Sequence, residues 1–141
     1  MFSKEESKRL RHKFWISFGK SFPRKWILYN TGLKDISFKF YFDTKKARVS
    51  VDIESSNEET RKMYFNKFSS LKAIISEKLP GVIFKEEFLL ENEKEVSSIY
   101  IEKKDVSIHN KSTWQETMLF LKDTMISFEE IWHQFEDYIK A

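Results

Sequence analysis

Apolar residues recur every three or four positions near both ends of the chain and every second position in its middle, a pattern that predicts helices flanking and separating paired strands. Leu10, Phe14 and Phe18, with Trp15 beside them, predict a helix from Ser3 to about Gly19. Ser3 followed by Glu6 reads as a capping box, and Pro23 prevents continuation. The short aromatic run Lys25 to Asn30 is expected to be a strand, ended by the turn signal Asn30, Thr31, Gly32. Strict alternation follows, with Ile36, Phe38, Phe40 and Phe42 on one face, then Ala47, Val49, Val51 and Ile53 after a turn at Asp43 to Lys46. A hairpin that pairs Phe42 with Ala47, Phe40 with Val49, Phe38 with Val51 and Ile36 with Ile53 keeps the apolar face intact. It leaves Tyr41 with Arg48, Lys39 with Ser50 and Ser37 with Asp52 on a second face, expected to be solvated or to meet a partner.

Ser56, Asn57, Glu58, Glu59 reads as a second capping box, opening a helix with Tyr64, Phe68, Leu71, Ile75 and Leu79 on one stripe and Pro80-Gly81 at its end. Val82 to Phe88 and Ser98 to Lys103 read as strands joined by the acidic stretch Glu91 to Glu95, and Asp105 to His109 could extend the sheet. Ser112 and Gln115 match a third box. The stripe Trp114, Met118, Leu121, Met125, Phe128, Trp132, Phe135, Ile139 then predicts one long helix. The expectation is a single α+β domain over residues 1–141, with two layers: a mostly antiparallel sheet of four or five strands packed with three helices, in the order α-β-β-α-β-β-α.

Composition narrows the function classes. The absence of cysteine excludes disulfides and thiolate catalysis and fits a reducing cytoplasm. The N-terminus is charged where a signal peptide needs an apolar run, and no stretch approaches the ~20 apolar residues of a membrane span, so no membrane role is expected. With only Gly19, Gly32 and Gly81 there is no phosphate-cradling glycine loop. His12, His109 and His133 are too scattered for a metal motif, and Glu129 and His133, four apart, read as a surface helix pair. No cofactor or metal is therefore expected. Charge is unevenly distributed: residues 1 to 48 carry 13 Lys and Arg against 4 Asp and Glu, and the remainder carries 12 against 18. A basic first third on an acidic remainder suits a phosphate-facing surface, an internal electrostatic fit or a partner surface.

Several segments together resemble a family of bacterial domains of unknown function, DUF4268. They are Arg11, His12, Lys13, Phe14, Trp15 with Phe18; the strand Arg48 to Ile53 leading to Asn57, Glu58, Glu59; the Phe65, Phe68, Leu71 helix ending at Pro80-Gly81; and the closing Trp114, Leu121, Met125, Phe128 helix. The resemblance specifies a fold more than an activity. It implies an accessory role related to nucleic acid, because some members are fused behind nuclease-like domains of the PD-(D/E)XK type.

Such a nuclease needs two carboxylates around a divalent metal and a lysine that steadies the attacking water. Glu102, Lys103, Lys104 supplies the short acid-x-lysine motif, and Glu87 on the preceding strand is the candidate second acid, so Glu87, Glu102 and Lys104 form the catalytic alternative. The plainer reading of that motif is a solvated strand end. For a binding domain the candidates are Arg9 and Lys13 on the first helix and Lys39, Tyr41, Lys46 and Arg48 on the hairpin's second face: cations for phosphates and a ring for stacking. Asp52 and Glu54 on the same face oppose this by local neutralisation, and Trp15 and Trp26 read as core rings before stacking platforms. The leading expectation is a non-enzymatic interaction or accessory domain that meets nucleic acid or a protein. The long helix also leaves room for a homodimer.

Overall fold

A computed structural model describes residues 2–141. The first helix, α1, runs Lys4–Ser21, and Ser3 caps it by accepting the Glu6 N–H at 3.1 Å. It continues past Gly19 to just short of Pro23, with the rings of Phe18 and Phe22 5.6 Å apart across its last turn. The hairpin of β1, Ile36–Phe42, and β2, Lys46–Ile53, has the register expected from alternation, from Ile36 opposite Ile53 to Phe42 opposite Ala47. Its turn is held by the Asp43 carboxylate, whose Oδ1 accepts the N–H groups of Lys45 and Lys46 at 2.7 and 2.9 Å.

The expected helix after Asn57 is two helices, α2 at Glu58–Ser70 and α3 at Lys72–Lys78. Asn57 supplies the cap, accepting the Thr60 N–H at 3.2 Å. The break falls where Ser70 turns its hydroxyl back to the Lys67 carbonyl at 2.6 Å and the Leu71 N–H bonds three residues back to Phe68. The buried positions Phe68, Ile75 and Leu79 still share one side of the pair. Strands β3, Ile83–Leu89, and β4, Glu95–Lys104, complete the sheet, and α4, Trp114–Lys140, closes the chain. At ~1.5 Å rise per residue, α4 is about 40 Å long.

All four strands are antiparallel, in the order β1-β2-β4-β3, so the sheet has four strands and the fold four helices, not three. Neither additional strand forms. In the 25–30 segment Leu28 adopts φ +46°, and only its carbonyl joins the sheet, accepting the Phe38 N–H at 2.9 Å. In the 105–109 segment Asp105 turns at φ +63°, and Thr113 holds the following loop by bonding both the N–H and the carbonyl of Ser107. The third capping box does not form: Ser112 donates its hydroxyl to Asn110 Oδ1 at 2.6 Å, Asn110 caps a 3-10 turn at Lys111–Thr113, and Thr113 enters α4 without a side-chain cap bond.

The helices cover the apolar face, where Phe38, Val49, Val51, Ile99, Leu121, Met125 and Trp132 belong to one continuous core. Phe14 of α1 meets Phe42, Trp15 and Trp114 edge-on at 4.6, 5.0 and 5.4 Å. No helix among the described residues is long and apolar enough to cross a membrane.

Candidate nucleic-acid interface

The hairpin's second face is not solvated where β2 passes. Arg48, Ser50 and Asp52 are all buried, although no helix lies over them. Their cover is the β3–β4 hairpin, which a bulge between Lys85 and Phe88 bends and whose tip carries Leu90, Glu91 and Asn92 over the polar side of β2. Arg48, its side chain 5 % exposed, lies between the rings of Tyr41 and Phe88 at 4.4 and 5.1 Å, donates to Glu91 at 3.0 Å and approaches Glu102 at 3.7 Å. Lys39 pairs with Glu54 and lies 3.5 Å from Asp52, Lys46 lies 3.7 Å from Glu102, and the Tyr41 hydroxyl donates to Asp43 at 2.7 Å. Asp52 in turn accepts from Ser98 at 2.7 Å.

Electrostatics follow from these partners. Burial alone would raise the carboxyls of Asp43, Glu54 and Glu91, but their hydrogen bonds from backbone N–H groups, Tyr41, lysines and Arg48 outweigh it and hold all three below the usual range. Burial opposes charge on Lys39, yet the Glu54 bond and the charge of Asp52 raise it. Burial and the Asp43 contact push Tyr41 upward. The structure thus brings Lys39, Tyr41, Lys46 and Arg48 together as expected, and matches each with an acid. Glu91 and Glu102 were not readable as partners because they arrive from β3–β4, which meets β2 only through the sheet.

Glu87, Glu102 and Lys104 are not assembled. Lys85 faces Ser98 and Phe88 faces Val96, so Glu87 lies in the bulge near Ser97. Glu102 is five positions further along β4, about 17 Å at ~3.4 Å per residue. Glu102 is instead shared by Lys46 and Arg48. No group of three or more His, Asp or Glu side chains that could hold a metal occurs among the described residues. The surface pairing of Glu129 with His133 is also replaced. Glu129 is buried, accepting from Arg24 at 2.5 Å and from the Ile27 N–H at 2.8 Å, while His133 is exposed.

The basic side of α1 is different in kind. The Ser7 hydroxyl lies 2.6 Å from His109 Nε2, Phe2 stacks on His109 at 4.2 Å, and Phe14 meets Trp114, so α1 docks against the turn that enters α4. Arg9 and Lys13, one helical turn apart, thereby come beside Lys111 of that turn, and Lys111 also lies 5.8 Å from the Trp114 ring centre. Contact with the Lys13 amine, together with the charges of Lys13 and Arg9, holds Lys111 below the usual lysine range. Lys8, Arg9, Arg11, Lys13 and Lys111 are all exposed, and among the described residues none has a carboxylate within 4.0 Å. Lys111 has no signal in the sequence, because tertiary docking alone brings it to Arg9 and Lys13.

No curated protein and no solved structure matches the chain. The family described as Domain of unknown function (DUF4268) matches residues 10–136. With nearly its whole length matched, this chain belongs to the DUF4268 family.

Proposed function

We propose that this chain is a non-enzymatic interaction or accessory domain of the bacterial cytoplasm that contacts nucleic acid through the basic side of α1. One observation carries the reading: Arg9, Lys13 and Lys111 form a group of exposed cations without carboxylate partners, and Lys8 and Arg11 add exposed cations on the other flank of the same helix. Like charges gathered at one place repel one another, and an array of phosphates relieves that repulsion while releasing its own counterions. The hairpin cations are a weaker contact set, since Lys39, Lys46 and Arg48 already face Glu54, Asp52, Glu102 and Glu91. The contact set therefore narrows to α1 and Lys111, with Tyr41 and Arg48 serving the interior of the hairpin face. The lack of cysteine supports a reducing compartment. The metal-dependent nuclease alternative draws no support from the separated positions of Glu87 and Glu102.

Fluorescence anisotropy of labelled single-stranded and duplex oligonucleotides across a salt series tests the reading. Binding is expected at low salt, weakening as salt rises, and the double reversal Lys13→Glu with Lys111→Glu is expected to abolish it while Lys85→Ala on the opposite sheet edge leaves it unchanged. No binding to either oligonucleotide at low salt would refute the proposal.

A further inference from the structure

Trp15 stands on the flank of α1 shared by Arg11, four residues before it, and Lys8, seven before it, so the two cations line up along the helix with the indole. The indole contacts Phe40 at 6.2 Å between ring centres. Beside it the loop turns at Leu28, in a left-handed conformation unfavourable for leucine, and presents Tyr29 72 % exposed. Trp15, Leu28, Tyr29, Phe38, Lys39 and Phe40 line one open groove of about 280 Å³. Open to solvent on one side, the groove offers aromatic walls against which one flat ring system can stack.

We propose that this groove receives one unstacked base of a single-stranded nucleic acid, with the adjoining phosphates on Arg11 and Lys8; the inference rests on the nucleic-acid reading above and adds strand type and contact residues. The core accounts for Trp15 and Phe40 as packing rings, but not for Tyr29, an aromatic ring left in water beside them. A duplex keeps its bases stacked and cannot fill the groove, whereas a single strand offers a flat ring and a phosphate within one nucleotide. An acidic peptide matches the cations and lacks the ring. Because every base has a face to stack, recognition is expected to tolerate sequence.

The test titrates the full chain with a fluorescein-labelled oligothymidylate of about 15 nucleotides, within the usual range of single-strand site sizes, an abasic phosphodiester of equal length, a duplex and polyglutamate. The thymidylate is expected to bind most tightly and to quench tryptophan fluorescence. Tyr29→Ala, at an exposed position whose folding circular dichroism verifies, is expected to weaken thymidylate binding roughly 5- to 150-fold with the salt dependence unchanged, and Tyr29→Trp to retain it. Equal affinity for the thymidylate and the abasic strand or polyglutamate, or indifference to Tyr29→Ala, would overturn the groove and leave the basic side of α1 standing. Failure to bind any of the nucleic-acid probes would overturn both.

Discussion

The Glu129 carboxylate is 3 % exposed and accepts from the Arg24 guanidinium at 2.5 Å and the Ile27 N–H at 2.8 Å, so it ties the loop after α1 to the middle of α4. A carboxylate removed from water is tolerated only when such donors replace the lost hydration. Glu129→Ala is expected to lower unfolding free energy by about 2–3 kcal/mol in urea titrations, because it strands the Ile27 N–H and a charged donor together. Arg24→Ala should cost less than Glu129→Ala but still destabilise, because the Ile27 N–H bond remains while the buried carboxylate loses a counter-charge that, at 44 % exposure, solvent only partly replaces. Equal losses from the two would show that the Ile27 bond contributes nothing. Arg48 obeys the same logic with a different cover, two aromatic rings, and Arg48→Lys is expected to destabilise the domain despite keeping the charge, as a compact ammonium cannot stack between Tyr41 and Phe88. At this scale the sequence was half legible. Glu129 read as a surface partner of His133, whereas its place beside Met125, Phe128 and Trp132 puts it on the buried face, and its partner Arg24 lies far away in the chain, so only the fold names it.

Elements were legible wherever a local pattern repeats. The β1–β2 register followed from alternation alone, because a slip of one residue would turn Phe38 and Val51 into water. Where the structure departs from that reading, the departure is local: the backbone takes positive φ at Leu28 and Asp105 where two strands were expected, Ser70 bonds back to Lys67 where the expected helix divides, and Ser112, the expected cap of α4, gives its hydroxyl to Asn110. None of these alters the periodicity that located the elements, so all lie beyond its reach. The outer face of the hairpin carries a pH signature. Asp43, Glu54 and Glu91 have folded-state values below their unfolded ones, so their contribution to stability is complete above the ordinary carboxylate range near pH 4 and is lost as pH falls through the lowered values. Urea midpoints are expected to be insensitive to these groups between about pH 6 and 8 and to drop steadily on acidification below ~4, and Glu91→Gln should flatten part of that drop. An unchanged acid slope in the variant would mean that the Arg48–Glu91 link does not hold the β3–β4 tip in solution.

Over the whole molecule, the broad apolar face of α4 raises the question of a second copy, and its placement answers with packing. Leu121, Met125, Phe128, Ile131, Trp132 and Ile139 are all buried within one chain, with Phe38 meeting Trp132 at 5.7 Å and Phe128 at 6.3 Å between ring centres. The large apolar side chains that α4 leaves exposed are Leu119 at 43 % and Tyr138 at 44 %. They are separated by 19 residues, about 28 Å along the helix at ~1.5 Å per residue, and so do not form one patch of the size a stable dimer buries. Tyr138 is further engaged with the Ser70 hydroxyl at 2.7 Å. The cations of α1 add repulsion between copies at low salt. Sedimentation equilibrium at micromolar concentration is therefore expected to return the mass of one chain. Trp132→Asp separates the two roles of the helix, because an aspartate there would place an unpaired charge against Phe38 and leave the volume of an indole unfilled, a loss of at least ~3 kcal/mol. The variant is expected to lose its cooperative urea transition. A wild type that sediments as a dimer, with a Trp132→Asp variant that is folded and monomeric, would instead make this face of α4 an interface and displace it from the core of the single chain.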